Sequence, residues 1–187
     1  KIALCFLTYD NLSQPTLWKK YINPKYNIYI HNKNAFKGKF NKYCIPNKID
    51  TQWGDISLVK ATLSLFREAY KVEDNKYFIL LSDKCIPLYP ANELYNKINQ
   101  LNTNFLSTFQ PKKDSLHHKS HYLNDQNFFP KGKWYHQSQW MLLKRETIKF
   151  FLDNDFVNIF GKFFKVADEY YFANIMRKYD IEYKNKP

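Results

Sequence analysis

Tyr77-Phe78-Ile79-Leu80-Leu81-Ser82 runs straight into Asp83-Lys84-Cys85-Ile86-Pro87-Leu88. The first five residues are apolar without alternation, the pattern of a strand covered on both faces, as in the middle of a parallel sheet. Ser82 and Asp83 then leave at the carboxyl end of that strand, where α/β sheets collect their ligands. Upstream, residues 55–70 carry Ile56, Val59, Leu63, Phe66 and Tyr70 at helical spacing, so a helix feeds the strand. Further back, residues 2–8 read as a buried first strand and 26–31 as a second, with a helix start at Pro15 and a short strand at Cys44-Ile45. Downstream, Pro90 opens a helix to about Ile98, and Phe105 to Phe109 is a strand. Gln139 to Leu143 is another strand, followed by helices over 145–152 and from Asp168 to about Tyr179. Between them, Gln110 to Lys133 is polar and aromatic with no period, a loop long enough to suggest work. Strand and helix alternate throughout. The expectation is an α/β fold, a mostly parallel sheet flanked by helices, in one domain over residues 1–187.

The 187 residues suffice for one core. Apolar residues make up 44% and aromatics 19%, which excludes a disordered chain, and only 4 Gly leave no glycine-rich phosphate loop. No apolar run reaches membrane-span length. The chain begins at Lys1 with no initiator Met, so it reads as a piece of a longer protein, possible truncation at both ends included, and a membrane anchor outside it stays open. Cys5, Cys44 and Cys85 cannot all pair and match no zinc spacing, which reads as free thiols in a reducing compartment. A net charge of +12 asks for an anionic partner: nucleic acid, an acidic membrane or a nucleotide diphosphate. The lysines are dispersed, with no run of five basics, which disfavours nucleic acid.

Four segments stand out: Thr51-Gln-Trp-Gly-Asp-Ile-Ser57, Leu80-Leu-Ser-Asp-Lys-Cys-Ile-Pro-Leu88, Ser138-Gln-Trp140 and Ala167-Asp-Glu-Tyr-Tyr-Phe172. In order and spacing they resemble the core-2/I-branching N-acetylglucosaminyltransferase family, above all its plant-type branch. The likeness runs from about Ile2 to Tyr183. It implies a GT-A type, Rossmann-like fold and an inverting transfer of N-acetylglucosamine, xylose or glucuronic acid from a UDP-sugar to a glycan or glycoprotein hydroxyl. It also implies no divalent metal, because the family lacks the Asp-x-Asp signature and uses basic side chains on the diphosphate. Here the corresponding place reads Ser82-Asp83-Lys84-Cys85. The formal match Asp153-Asn154-Asp155 follows a helix and reads as a helix-ending turn. Eukaryotic members are Golgi membrane proteins, which stands against the compartment suggested by the cysteines.

The resemblance makes Glu169 the general base that takes the acceptor's proton. From the residues alone, Asp168 and Glu169 are also ordinary acids of a helix start, with Asp168 as its cap. Thr8 and Tyr9 end the first strand and His31 ends the second, all candidates for the nucleotide; His31 with a backbone partner is the equal alternative. Trp53 and Gly54 fall near the donor in the family, and a packing role for Trp53 fits as well. Ser82 and Asp83 complete the donor candidates. Ser138, Gln139 and Trp140 belong beside the acceptor, with a buried Trp140 the competing reading. In described members the diphosphate is gripped by basic residues beyond the Asp-Glu helix, where this chain soon ends. Lys162 and Lys165 are the substitutes expected here, with Arg177 and Lys178 behind them. His117, His118 and His121 read as loop residues. A second reading remains: a transferase fold that lost turnover and binds glycan or nucleotide, or a basic nucleic-acid binder.

Overall fold

A computed structural model describes residues 1–110, 134–161 and 166–185. Among these residues, six strands form one sheet: β1 (Ile2–Thr8), β2 (Tyr26–Asn32), β3 (Tyr77–Ser82), β4 (Asn104–Phe109), β5 (His136–Lys144) and β6 (Tyr183–Asn185), in the order β2-β1-β3-β5-β4-β6. β1 pairs in parallel with β2 and β3, and β4 with β6. β5 runs antiparallel to both its neighbours. Five strands therefore point one way and β5 the other, the α/β class and mostly parallel sheet that the sequence implies. The consequence for function is geometric: the first residues of β5 lie at the same edge as the last residues of β1, β2, β3 and β4.

β1 shows why the sheet is central. Ile2, Leu4 and Phe6 face one apolar cluster, with Trp18, Tyr21, Ile28 and Ile30. Ala3 and Cys5 face the other, with Val59, Phe66, Phe78 and Leu143. Alternate side chains of one strand thus enter opposite layers, as a period of two requires. The layers are α1 (Pro15–Trp18) and α3 (Ala91–Leu101) on one side, and α2 (Ser57–Tyr70), α4 (Arg145–Asp153) and α6 (Tyr171–Lys178) on the other. A short α5 (Val157–Gly161) follows α4. Arg145 locks the foot of α2 by donating to the carbonyls of Tyr70, Val72 and Asn75 at 2.9–3.2 Å, a basic cap on a helix end.

Two local expectations change. Cys44-Ile45 forms a single bridge, Ile30 to Cys44, instead of a strand, because the next residues turn away through Pro46. The last helix starts at Tyr171, preceded by a separate 3₁₀ turn over Ala167–Glu169. The N-cap positions of the turn and of the helix are held by Val166 and Tyr170, neither with a side-chain cap bond, and Asp168 is buried inside the turn, so its capping role falls away. Asp153-Asn154-Asp155 behaves as a helix-ending turn: Asp153 closes α4 and pairs with Lys149, while Asp155 Oδ1 accepts from Val157 N at 3.0 Å to start α5.

Candidate active site at the carboxyl edge of the sheet

The four motifs converge at this edge. The first is tied to the residue just before the fourth: Val166 N donates to Gly54 O at 2.7 Å. Gly54 holds φ +71°, and a Cβ there would sit 3.4 Å from Val166 Cγ1, so glycine serves both the turn and the close approach. Val166 itself holds φ 55°, an uncommon conformation for a β-branched residue. Its carbonyl receives Glu169 N at 3.0 Å, which closes the turn that aims Glu169.

Glu169 is half-buried, and its Oε2 lies 2.7 Å from His136 Nε2. A carboxylate accepts, so Nε2 donates. The His136 ring lies 4.6 Å from the Phe109 ring at a shallow angle and 5.4 Å from Tyr170, edge to face. Two rings and one carboxylate thus fix a residue that sequence reasoning missed. His136 stands alone in a polar stretch, and the signal that could have found it is its place as the first residue of β5, two before Ser138-Gln-Trp140.

The turn is braced to β5 by amide side chains. Gln137 is fully buried; its Nε2 donates to Asp168 O at 3.2 Å and its Oε1 accepts from Ala173 N. Asn174 pairs with both backbone groups of Tyr135, at 2.9 and 2.8 Å. Asp168, next to Glu169, is 8% exposed. Burial raises its carboxyl to about 6 against a bond from its own backbone N–H, and the Glu169 charge adds to the rise. Its Oδ1 meets no donor among the described residues.

Ser138, Gln139 and Trp140 occupy a bulge. The β4–β5 register runs Leu106↔Met141, then Thr108↔Gln137, so four steps on β5 match two on β4. The two extra residues fall within the Ser-Gln-Trp segment, a device that re-aims side chains beside functional sites. The β3–β5 ladder also stops at Ile79↔Leu142, which parts the strands where the bulge begins. Trp140 is 38% exposed, so it is not a core residue.

On the β2-β1-β3 side, Thr8 is buried and its Oγ1 donates to His31 O at 3.4 Å. Tyr9 is exposed, and Lys33 Nζ lies 5.7 Å from its ring. His31 is fully buried, with Nε2 accepting from Ile49 N at 2.8 Å. Burial pushes its imidazole below the usual range, and the neutral ring pins the 47–51 loop. This is the backbone-partnered reading of His31. Trp53 is 88% exposed, which excludes the packing role. Ser82 Oγ receives Lys84 N at 3.1 Å and lies 3.4 Å from Cys85 Sγ, so it shapes the exit turn of β3. Asp83 is nearly buried, with Lys84 Nζ at 3.3 Å. Lys162, Lys165 and the three histidines at 117, 118 and 121 lie outside the described residues. Among the described residues, no three His, Cys, Asp or Glu side chains gather as a metal site. No helix there is long and apolar enough to cross a membrane.

Comparison with known proteins joins this geometry to a lineage. Glycosyltransferase BC10 of Oryza sativa subsp. japonica is 24% identical over 167 residues, covering 83% of this chain and 41% of the relative. The chain thus spans less than half of that protein's length. Among solved structures, CMP:2-keto-3-deoxy-manno-octonic acid synthetase complexed with CTP is similar at TM-score 0.49 and 8% identity, covering 100% of this chain and 89% of the other. The galactosyltransferase LgtC, in complex with donor and acceptor sugar analogues, is similar at TM-score 0.40 and 8% identity, covering 96% and 66%. The Core-2/I-Branching enzyme family matches residues 2–184. With nearly the whole chain matched and its four motifs brought to one edge, this protein belongs to the Core-2/I-Branching enzyme family.

Proposed function

We propose that the chain is a glycosyltransferase catalytic domain that moves a sugar from a UDP-sugar to a hydroxyl of a glycan or glycoprotein, with inversion and without a divalent metal. The donor sugars in view are N-acetylglucosamine, xylose and glucuronic acid. In this reading the acceptor oxygen attacks the anomeric carbon while a Glu169 carboxylate oxygen takes its proton. The bond from the anomeric carbon to the diphosphate oxygen breaks, and UDP leaves with the electron pair. Thr8, Tyr9, Trp53, Gly54, Ser82 and Asp83 belong to the donor side, and Ser138, Gln139 and Trp140 to the acceptor side. His31 serves the donor side from beneath, through the 47–51 loop.

The observation that carries the proposal is the braced carboxylate. Glu169 is half-exposed, held by His136 at 2.7 Å, and set at the edge where the parallel strands end. A general base needs this combination of access and fixed aim.

Glu169→Gln tests it. The amide keeps the size and the hydrogen bond to position 136 but cannot take a proton. Turnover, or slow donor hydrolysis as its proxy, is expected to fall by about 10²–10⁴-fold. The melting temperature and its rise with UDP should survive. That rise should appear without added metal and persist in EDTA, and the stabilisation free energy behind it should reach about 2.7 kcal/mol at a hundred times the dissociation constant. Near-normal transfer by the variant removes Glu169 from the chemistry, and a rise that requires manganese removes the metal-free mechanism.

A further inference from the structure

Positive charge is unevenly divided between the two layers of helices. Residues 9–43 and 83–102, which build the side of α1 and α3, carry nine Lys and three acids. Residues 44–82, with α2, carry five basic and five acidic side chains, and residues 144–161, with α4 and α5, three and three. Among the described residues, one side of the sheet is strongly positive and the other close to neutral.

The basic residues gather around one apolar loop. Trp18 Nε1 donates to Cys85 O at 3.1 Å, and the Tyr21 hydroxyl donates to Tyr89 O. The Lys19–Tyr21 turn after α1 is thereby fastened along residues 85–89. Lys84 Nζ donates to Ser13 Oγ at 3.2 Å, and Lys97 Nζ lies 4.8 Å from the centre of the Tyr89 ring. Lys19 also lines a groove of about 440 Å³ with Lys37, Lys39, Phe36 and Phe40. Lys19, Lys20, Lys37 and Lys39 are exposed and form no ion pair among the described residues. The loop turns large apolar side chains to water: Ile86 is 52% exposed, Leu88 81% and Tyr89 45%. Its carbonyls are held from α1 and the turn after it, and Pro87 and Pro90 fix two of its φ angles. The side chains are therefore presented outward instead of folding back on the core.

We propose that the α1/α3 face docks on an anionic bilayer, with Ile86, Leu88 and Tyr89 inserted at headgroup level and Lys19, Lys20, Lys37, Lys39 and Lys97 on the lipid charges. Apolar side chains ringed by lysines suit this boundary, where charge meets headgroups and the apolar tip enters below them. Nucleic acid would use the lysines but offers a phosphate surface, which gives Ile86 and Leu88 nothing to bury against. The loop leaves β3 at the carboxyl edge of the sheet, so docking sets the candidate active site beside the lipid. The contact is independent of the nucleotide-sugar reading.

Co-sedimentation of the full chain with vesicles, in the absence of nucleotide, tests the docking face. One vesicle set is phosphatidylcholine alone, the other an equal mixture with phosphatidylglycerol. Wild type is compared with Leu88→Ser, with a double variant Lys19→Ala and Lys37→Ala, and with a double variant Lys60→Ala and Lys71→Ala, which removes the same charge from α2 and its end. All five positions are exposed, so each variant should fold as wild type does. Wild type is expected on the mixed vesicles and not on the neutral ones. Loss of Lys19 and Lys37 should weaken that binding about 30-fold, and Leu88→Ser about tenfold. The Lys60 and Lys71 variant should match wild type. Equal binding by all variants overturns the proposal, as does an equal loss in both lysine pairs, since net charge would then suffice. A loss with the Lys19 and Lys37 variant but none with Leu88→Ser also overturns it, and a parallel loss on a DNA duplex would then give the face to nucleic acid. Binding of neutral vesicles as tight as mixed ones, or of neither, sinks it as well. Each of these failures leaves the glycosyltransferase reading standing, because no donor enters the measurement.

Discussion

In the half of the edge made by β2, β1 and β3, three parallel strands end in step, and their last residues simply hang at the rim. Register alone places Thr8 opposite Asn32 and Leu7 opposite Ser82. In the half around β5, nothing is regular. One strand is reversed, two residues are bulged out, Val166 is left-handed, and a buried acid sits beside the half-buried one. Contacts that share a ligand among many weak partners can be carried on strand ends. A single carboxylate that must point one way has to be held by its surroundings, here by Val166, His136 and Gln137. The contrast predicts that substitutions around β5 change stability or turnover without changing nucleotide affinity, while the other half does the reverse.

The largest effect should come from the buried acid. Asp168 holds its proton more tightly in the folded chain, at about 6, than the ordinary carboxyl near 4. That contribution to stability is fully present below about pH 4 and is lost as the pH rises through about 6. The two-unit rise corresponds to about 3 kcal/mol. Asp168→Asn removes the dependence, so urea melts should show it gaining up to about 3 kcal/mol on wild type at pH 7 and almost nothing at pH 4. A variant that tracks wild type at both values would mean that burying Asp168 costs nothing.

Next comes His136→Ala, which frees the Glu169 carboxylate. A misplacement on the order of 1 Å can cost about a hundredfold in rate, and that loss is expected in kcat with UDP affinity unchanged. His136→Gln restores an N–H donor and should recover part of it. If the alanine variant turns over at the wild-type rate, the two halves are equally tolerant and the contrast fails. The smallest effect belongs to the other half. With Trp53 88% exposed, Trp53→Ala should shift stability by no more than about 0.5 kcal/mol, with any loss appearing in donor affinity by titration. A loss of several kcal/mol would return Trp53 to the core.

What could be read in advance follows the same division. The Tyr77–Ser82 strand, the α2 helix and the polar exits of β1 and β3 were legible because burial imposes a period on residue type. The acid turn was not. Asp168-Glu169 has the composition of a helix start, and only the three-dimensional fold shows the acid buried under Gln137 instead of capping. The bulge at Ser138-Gln-Trp140 was hidden because a bulge is a relation between two strands, and the β5 pattern alone does not count residues against β4. His136 was hidden because its partner lies 33 positions away. Exposure of Trp53 ran against its residue type, and tryptophan is more often covered.

Val166 carries one more consequence, for anyone evolving this chain in the laboratory. A side chain with a Cβ pays about 1–2 kcal/mol to hold the left-handed conformation, and glycine does not. A screen for heat resistance will therefore be drawn to Val166→Gly. Yet the same backbone segment takes Gly54 O on one side and Glu169 N on the other, and a glycine there releases the turn that the strain now fixes. Thermal tolerance and catalytic aim meet at one residue, and selection for the first alone spends the second.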